Sequence, residues 1–171
     1  ARKMLSKKEA FATNLKAGEE KAIREILRIG TSAGGARPKV VIAYNEKTGE
    51  VKSGQTNTPK GFDHWLIKLD GVSDVQLGAS KGYGRVEMAY YNLAIACGIE
   101  MMPSRLLEEN GRAHFMTKRF DREGATTKHH IQTFCAMKHF DYNHVTSYSY
   151  EQLFQTMREL KLPYPQAEQM F

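Results

Sequence analysis

Four stretches of the sequence carry residues suited to recognising a phosphorylated ligand. Residues 30–39, GTSAGGARPK, join three glycines and two hydroxyl residues to Arg37 and Lys39, between an amphipathic helix pattern and an apolar strand pattern. Backbone amides of such a turn can cradle phosphate oxygens, and Lys39 follows directly with charge. The spacing matches neither G-x-G-x-x-G nor G-x-x-x-x-G-K-[ST], so taken alone the loop reads more readily as a plain connection. In HWLIKLD, residues 64–70, period-two alternation sets Trp65, Ile67 and Leu69 on one face, and Leu66 and Lys68 on the other. Glu87 stands in the first turns of the helix pattern that follows. FMTKRFDR, residues 115–122, ends the last strand pattern; its backbone suits the edge of a base, Phe120 its ring, and Asp121 a ribose hydroxyl. A lone strand lysine ordinarily faces solvent, and a first-turn glutamate ordinarily answers the helix dipole. The order of the four pieces is what gives them weight.

The surrounding pattern indicates how they are positioned. Ser6 and Glu9 at capping-box spacing predict a helix over 6–15, and Ile23, Ile26 and Leu27 share one face of a second helix that Gly30 stops. After the glycine loop the period changes. KVVIAYN (39–45), the turn EKTGE and VKSGQ (51–55) form a hairpin, and HWLIKLD is a third strand. RVEMAYYNLAIACG is a helix with a continuous apolar stripe of Val86, Ala89, Tyr90, Leu93, Ala94 and Cys97. SRLLEEN and HFMTKRF flank the turn NGR as a second hairpin. Beyond Arg122 only helices are expected, in TKHHIQTFCAMKHF, in YSYEQLFQTMREL with Ser149 and Gln152 at capping-box spacing and Pro163 and Pro165 as its stop, and in PQAEQMF. Strands followed by a run of helices predict an α+β chain, with one domain over 1–122 and the start of a helical one over 123–171.

Bulk properties bound the function. With 171 residues, 41% hydrophobic and 26% charged, the composition is that of a soluble globular protein. No apolar run approaches the ~20 residues of a membrane span, and the first residues do not resemble a signal peptide. Cys97 and Cys135 lie in apolar helical patterns without metal or redox spacing, so both are expected buried and free in a reducing cytoplasm. A formal charge of +6 suits an anionic partner. Its lysines and arginines are scattered, which argues against direct nucleic-acid binding and leaves membrane association without support.

A strand lysine steadied by a glutamate from the next helix is how protein kinases orient the α- and β-phosphates of ATP. TSAGGARPK, HWLIKLD, RVEMAYYNLAIACGIEMMPSRLL and TKRFDR, in that order, resemble the HipA family of bacterial serine/threonine kinases, the toxins of toxin–antitoxin pairs. The resemblance implies a kinase-like amino-terminal lobe with antiparallel sheet and helices, followed by an incomplete helical segment, with ATP and Mg2+ as cofactors. It implies that Lys68 holds the α- and β-phosphates and Glu87 orients it. Gly35 and Lys39 would belong to the phosphate-side loop, Lys118, Arg119 and Phe120 would contact adenine, and Asp121 the ribose. Ser32 matches the serine that family members phosphorylate on themselves, which ejects the loop. A protein substrate, by family analogy a translation factor, and an antitoxin are the implied partners.

The catalytic aspartate and the metal ligands of that family have no counterpart here. Asp141 and Asn143 do not fit D-x-x-x-x-N, so these groups are expected beyond Phe171, and the chain is expected to be a piece of a longer kinase without turnover of its own. The rival reading is a non-catalytic kinase-like module that binds an acidic protein or nucleic acid. His114, His129, His130, His139 and His144 lack metal-ligand spacing and read as surface or core residues. The tyrosines of YNHVTSYSY, which could stack on single-stranded nucleic acid, read as packing between helices.

Overall fold

The computed structural model describes residues 12–14, 23–24, 26–27, 38–54, 59–73, 76–77, 79–124, 126–144 and 146–171. Ser32 and Gly35, with the rest of 31–37, lie outside the described residues.

Alternating apolar residues build a six-stranded antiparallel sheet. Its strands are β1 (Ala12–Asn14), β2 (Lys39–Tyr44), β3 (Glu50–Ser53), β4 (Asp63–Lys68), β7 (Ser104–Glu109) and β8 (Arg112–Lys118). They lie in the order β1-β3-β2-β4-β8-β7. Two short pairs stand apart, β5 (Val72–Ser73) with β6 (Gln76–Leu77) and β9 (Arg122–Glu123) with β10 (Thr127–Lys128). The turns follow local chemistry. Asn45 Oδ1 accepts the amides of Lys47 and Thr48, and Gly49 takes φ 80° to close the β2–β3 hairpin. Asn110 and Gly111 both have positive φ, as a two-residue hairpin between β7 and β8 requires.

The two sheet faces differ in kind. Val40, Ile42, Tyr44, Val51, Trp65, Ile67 and Met116 point to one side and pack with Ile23, Ile26, Leu27 and Leu69 into the hydrophobic core. Arg105 closes its rim, with its guanidinium 4.8 Å from the ring centroids of both Tyr44 and Trp65. The opposite face carries Lys39, Val41, Leu66 and Lys68, half-buried, beside the buried Phe115. Helix α1 (Tyr83–Ala96) lies against β8 and β7.

Gly84 is where α1 meets the sheet. A Cβ built there would stand 1.9 Å from the Ala113 carbonyl oxygen, so only glycine permits the approach. Half-buried Glu87, Met88, Tyr91 and Ala94 continue that helical face.

The chain divides into two compact units, 1–129 and 130–171, a later boundary than residue 122 because the β9–β10 hairpin stays with the first unit. The second unit contains α2 (Phe134–Met137), α3 (Tyr150–Glu159) and α4 (Tyr164–Met170). Ser149 and Gln152 form the expected capping box on α3. Phe134, Phe140 and Tyr148 make successive ring contacts with centroids 5.5 and 6.4 Å apart.

Several expectations are corrected. Residues 12–14 are a strand paired with β3, not part of a helix over 6–15, because pairing with a sheet edge overrides a local capping signal. Strands continue past Arg122, in a hairpin too short to show periodicity. The helix expected through TKHHIQTFCAMKHF is confined to α2. In α1 most of the expected apolar stripe faces outward, with Val86, Tyr90 and Leu93 all more than half exposed, and of its members Ala94 alone is half-buried on the packed face. Cys97 is consequently exposed rather than buried, while Cys135 is half-buried.

Candidate functional site

β4 and β2 run antiparallel with Lys68 and Lys39 as direct cross-strand partners on the same face. Like charges placed opposite each other repel, so this corner of the sheet favours anionic oxygens. One carboxylate already answers Lys68: its Nζ donates to Glu87 Oε2 at 2.5 Å. Both side chains retain partial exposure, which leaves the amine accessible to a ligand. The Phe115 ring lies beneath Lys68, with Nζ 5.8 Å from its centroid. Half-buried Val41 and Leu66 extend the same face with apolar side chains.

At the other end of β4, the segment 118–121 turns out of the sheet. Lys118 lies on the core side, where it pairs with Asp63 at 2.9 Å, while its amide donates to the Pro103 carbonyl. The Arg119 amide donates to the His64 carbonyl. Phe120 is 68% exposed, free to cover a ring. Asp121 is buried, its oxygens held by Arg119, at 2.6 Å from Nε and 2.5 Å from Nη2, and by Arg122. The Arg119 hydrogen bonds outweigh burial and hold its carboxyl below the ordinary range. A ribose contact by Asp121 therefore requires that clamp to open.

Two buried histidines went unrecognised as parts of this architecture. His64 shares the Lys68 face of β4 with Leu66, and neither ring nitrogen has a hydrogen-bond partner among the described residues. Burial lowers its pKa, and Arg122, Lys128 and Arg119 lower it further. His114, fully buried, accepts the Asp70 amide at Nδ1, 2.9 Å away, and Nε2 faces Glu109 Oε1 at 3.2 Å. An accepting Nδ1 places the neutral ring's proton on Nε2, so His114 donates to Glu109. Burial lowers the His114 pKa against the opposing pull of Glu109. Burial raises the Glu109 carboxyl, but hydrogen bonds from Arg112 and His114 bring it below the ordinary value.

The structure thus brings Lys39, Lys68 and Glu87 to one corner and holds 118–121 at the far end of β4. A family model, the HipA-like C-terminal domain, matches residues 31–171. The chain belongs to the HipA-like family. That match spans both units and contains every candidate site residue, Ser32 and Gly35 included. No curated protein and no solved structure matches this HipA-like chain. Its α+β architecture agrees with the kinase-like fold expected of the family. No helix among its described residues is long and apolar enough to cross a membrane.

Proposed function

We propose that this chain is the ATP-binding portion of a HipA-like serine/threonine protein kinase, the toxin of a toxin–antitoxin pair. The observation that carries the reading is the Lys68–Glu87 pair, with Lys39 opposite Lys68 on the same sheet face. Glu87 fixes the Lys68 amine at a defined point, so the amine meets the α- and β-phosphates without first losing side-chain freedom. Lys39 adds a second positive charge to that corner. Val41 and Leu66 offer an apolar floor to the adenine, Phe120 a ring to cover it, and the backbone of 118–120 a polar edge. A bound magnesium ion would neutralise phosphate charge. Among the described residues no three His, Cys, Asp or Glu side chains converge on a common point.

The acceptors are a protein hydroxyl and Ser32 in the glycine loop. Transfer forms a bond from the hydroxyl oxygen to the γ-phosphorus and breaks the bond to the β,γ-bridging oxygen, releasing ADP. Phosphate on Ser32 would bring a charge near −2 beside Arg37 and Lys39, which competes with ATP for the same cations.

The test is transfer of radiolabel from the γ-phosphate of ATP to Ser32 and to a generic protein acceptor. ATP binding without turnover is expected of residues 1–171, and turnover of a longer form if one carries a catalytic base and metal ligands. Robust transfer by this chain that Lys68→Ala abolishes would mean that Asp121 or Asp141 serves as a base. Activity in neither form would sink the kinase reading.

A further inference from the structure

Asp70 lies two residues beyond Lys68 and is almost fully buried, yet neither the kinase reading nor the core accounts for it. Its carboxylate points at the start of α1. Oδ2 accepts the Ser80 hydroxyl at 2.5 Å and the Gly82 amide at 3.2 Å, and Oδ1 accepts the Lys81 amide at 3.1 Å. Gly82 occupies the N-cap of α1 and has no side chain to cap it. Asp70 therefore does from another segment what an N-cap side chain does locally, and it also places negative charge at the positive end of the helix. Burial pushes its carboxyl up, but the Ser80 hydroxyl and the amides of Lys81, Gly82 and Tyr83 leave it below the ordinary value.

The backbone of Asp70 is fixed as firmly as its side chain. Its amide donates to His114 on β8, and His114 is held in turn by Glu109, which Arg112 grips with two hydrogen bonds. Gly84, at the second residue of α1, rests on the Ala113 carbonyl next to His114. Glu87 follows on the same helical face, one turn later, and closes on Lys68. The chain of contacts is a closed ring, running from Lys68 along the backbone to Asp70, across to the start of α1, down the helix to Glu87 and back to Lys68. A ring of this kind leaves α1 little freedom to slide or lift without breaking several bonds at once.

We propose that Asp70 is a positioning residue for the Lys68–Glu87 pair, acting through the amino terminus of α1, with His114 as its anchor on β8. Losing the Asp70 carboxylate frees the first turn of α1, so that Glu87 no longer reaches Lys68. The consequence for ATP rests on the kinase reading above; the positioning itself does not.

The experiment reads both separately. An amine engaged by a carboxylate acylates more slowly than a free one, so Lys68 is labelled in the folded, nucleotide-free protein with an amine-reactive ester and quantified by peptide mass spectrometry. Glu87→Gln should raise Lys68 labelling about fivefold, the effect of losing a partly exposed ion pair. Asp70→Asn should raise it to a similar level, and the Asp70→Asn/Glu87→Gln double variant no further. Ser80→Ala, which removes the hydroxyl's bond to Asp70 and the Gly82 amide's bond to Ser80 Oγ but leaves the carboxylate in place, should give a smaller rise, and it carries the test if Asp70→Asn does not fold. Labelling at the wild-type level in Asp70→Asn, or in Ser80→Ala where that variant is used, overturns the proposal. So does a double variant in which the two effects multiply. In a parallel arm, ATP should raise the melting temperature of the wild type and do so less in Asp70→Asn. A wild type that ATP leaves unshifted, with the labelling pattern as expected, removes the nucleotide reading and leaves Asp70 as the positioning residue.

Discussion

Replacing Gly84 with alanine probes the contact that sets α1 on the sheet. The added methyl carbon would stand 1.9 Å from the Ala113 oxygen, 2.8 Å from its carbonyl carbon and 3.1 Å from the Phe115 nitrogen. A carbon needs about 3.3 Å from a carbonyl oxygen, so α1 must lift by roughly 1.4 Å at this point. All three obstructing atoms are backbone, and no side chain can rotate aside to relieve them. Overpacking costs about 1–3 kcal/mol and this case belongs at the upper end. Alanine returns ~1 kcal/mol of helix propensity, leaving a net loss of about 2 kcal/mol. A rigid lift of that size would carry Glu87 from 2.5 Å to beyond hydrogen-bond reach of Lys68. Urea unfolding followed by far-ultraviolet circular dichroism measures the loss, and Lys68 labelling measures the separation. The exposed Asn92→Ala on the same helix is the control, expected to stabilise by a few tenths of a kcal/mol. A Gly84→Ala protein as stable as the wild type would refute the close approach of α1 to β8.

Acid should destabilise the first unit in two stages. His64 and His114 have folded pKa values below the ordinary 6.5, so the unfolded chain binds protons first and stability, full above that value, declines as pH falls below it. Asp70, Glu109 and Asp121 are also lowered, and their contributions, present above the ordinary carboxylate values, are lost as pH falls through the folded ones. Urea midpoints measured from pH 8 to 3 check both; a midpoint unchanged between pH 7 and 5 would contradict the histidine assignment. Ser149→Ala should cost the second unit about 1 kcal/mol by removing the capping box, read as earlier melting of α3. Cys97 should react with a thiol reagent in the native protein well before Cys135 does, and equal rates would contradict the outward stripe.

How much of this was legible in the sequence depended on whether a signal was local. β2, β4 and β8 were visible because one sheet face is core, so Val40, Ile42, Trp65, Ile67 and Met116 alternate with less buried residues. Asn110-Gly111 and Ser149 were visible because turn and cap chemistry is local. The orientation of α1 was not. Both of its sides carry apolar residues, and the side that packs is chosen by the absence of a side chain at Gly84, a contact with a strand almost thirty residues later. Lys68 and Glu87 were found as a pair through resemblance, since neither residue alone signals a partner. Asp70 and His114 gave no such signal, because their partners lie far along the chain and a buried histidine looks like any other in sequence. The Arg119–Asp121–Arg122 clamp was equally hidden, since three charged neighbours in a turn do not show which of them face inward.

Calorimetric titration with ATP in the presence of magnesium tests the central claim most directly, using the wild type, Lys68→Ala, Lys39→Ala and the exposed-lysine control Lys60→Ala at one fixed salt concentration. Saturable binding to the wild type and to Lys60→Ala, weakened by Lys39→Ala and most by Lys68→Ala, is the expected result. Binding that survives Lys68→Ala unchanged, or no binding by the wild type, would contradict the assignment of this sheet corner to the phosphates of ATP.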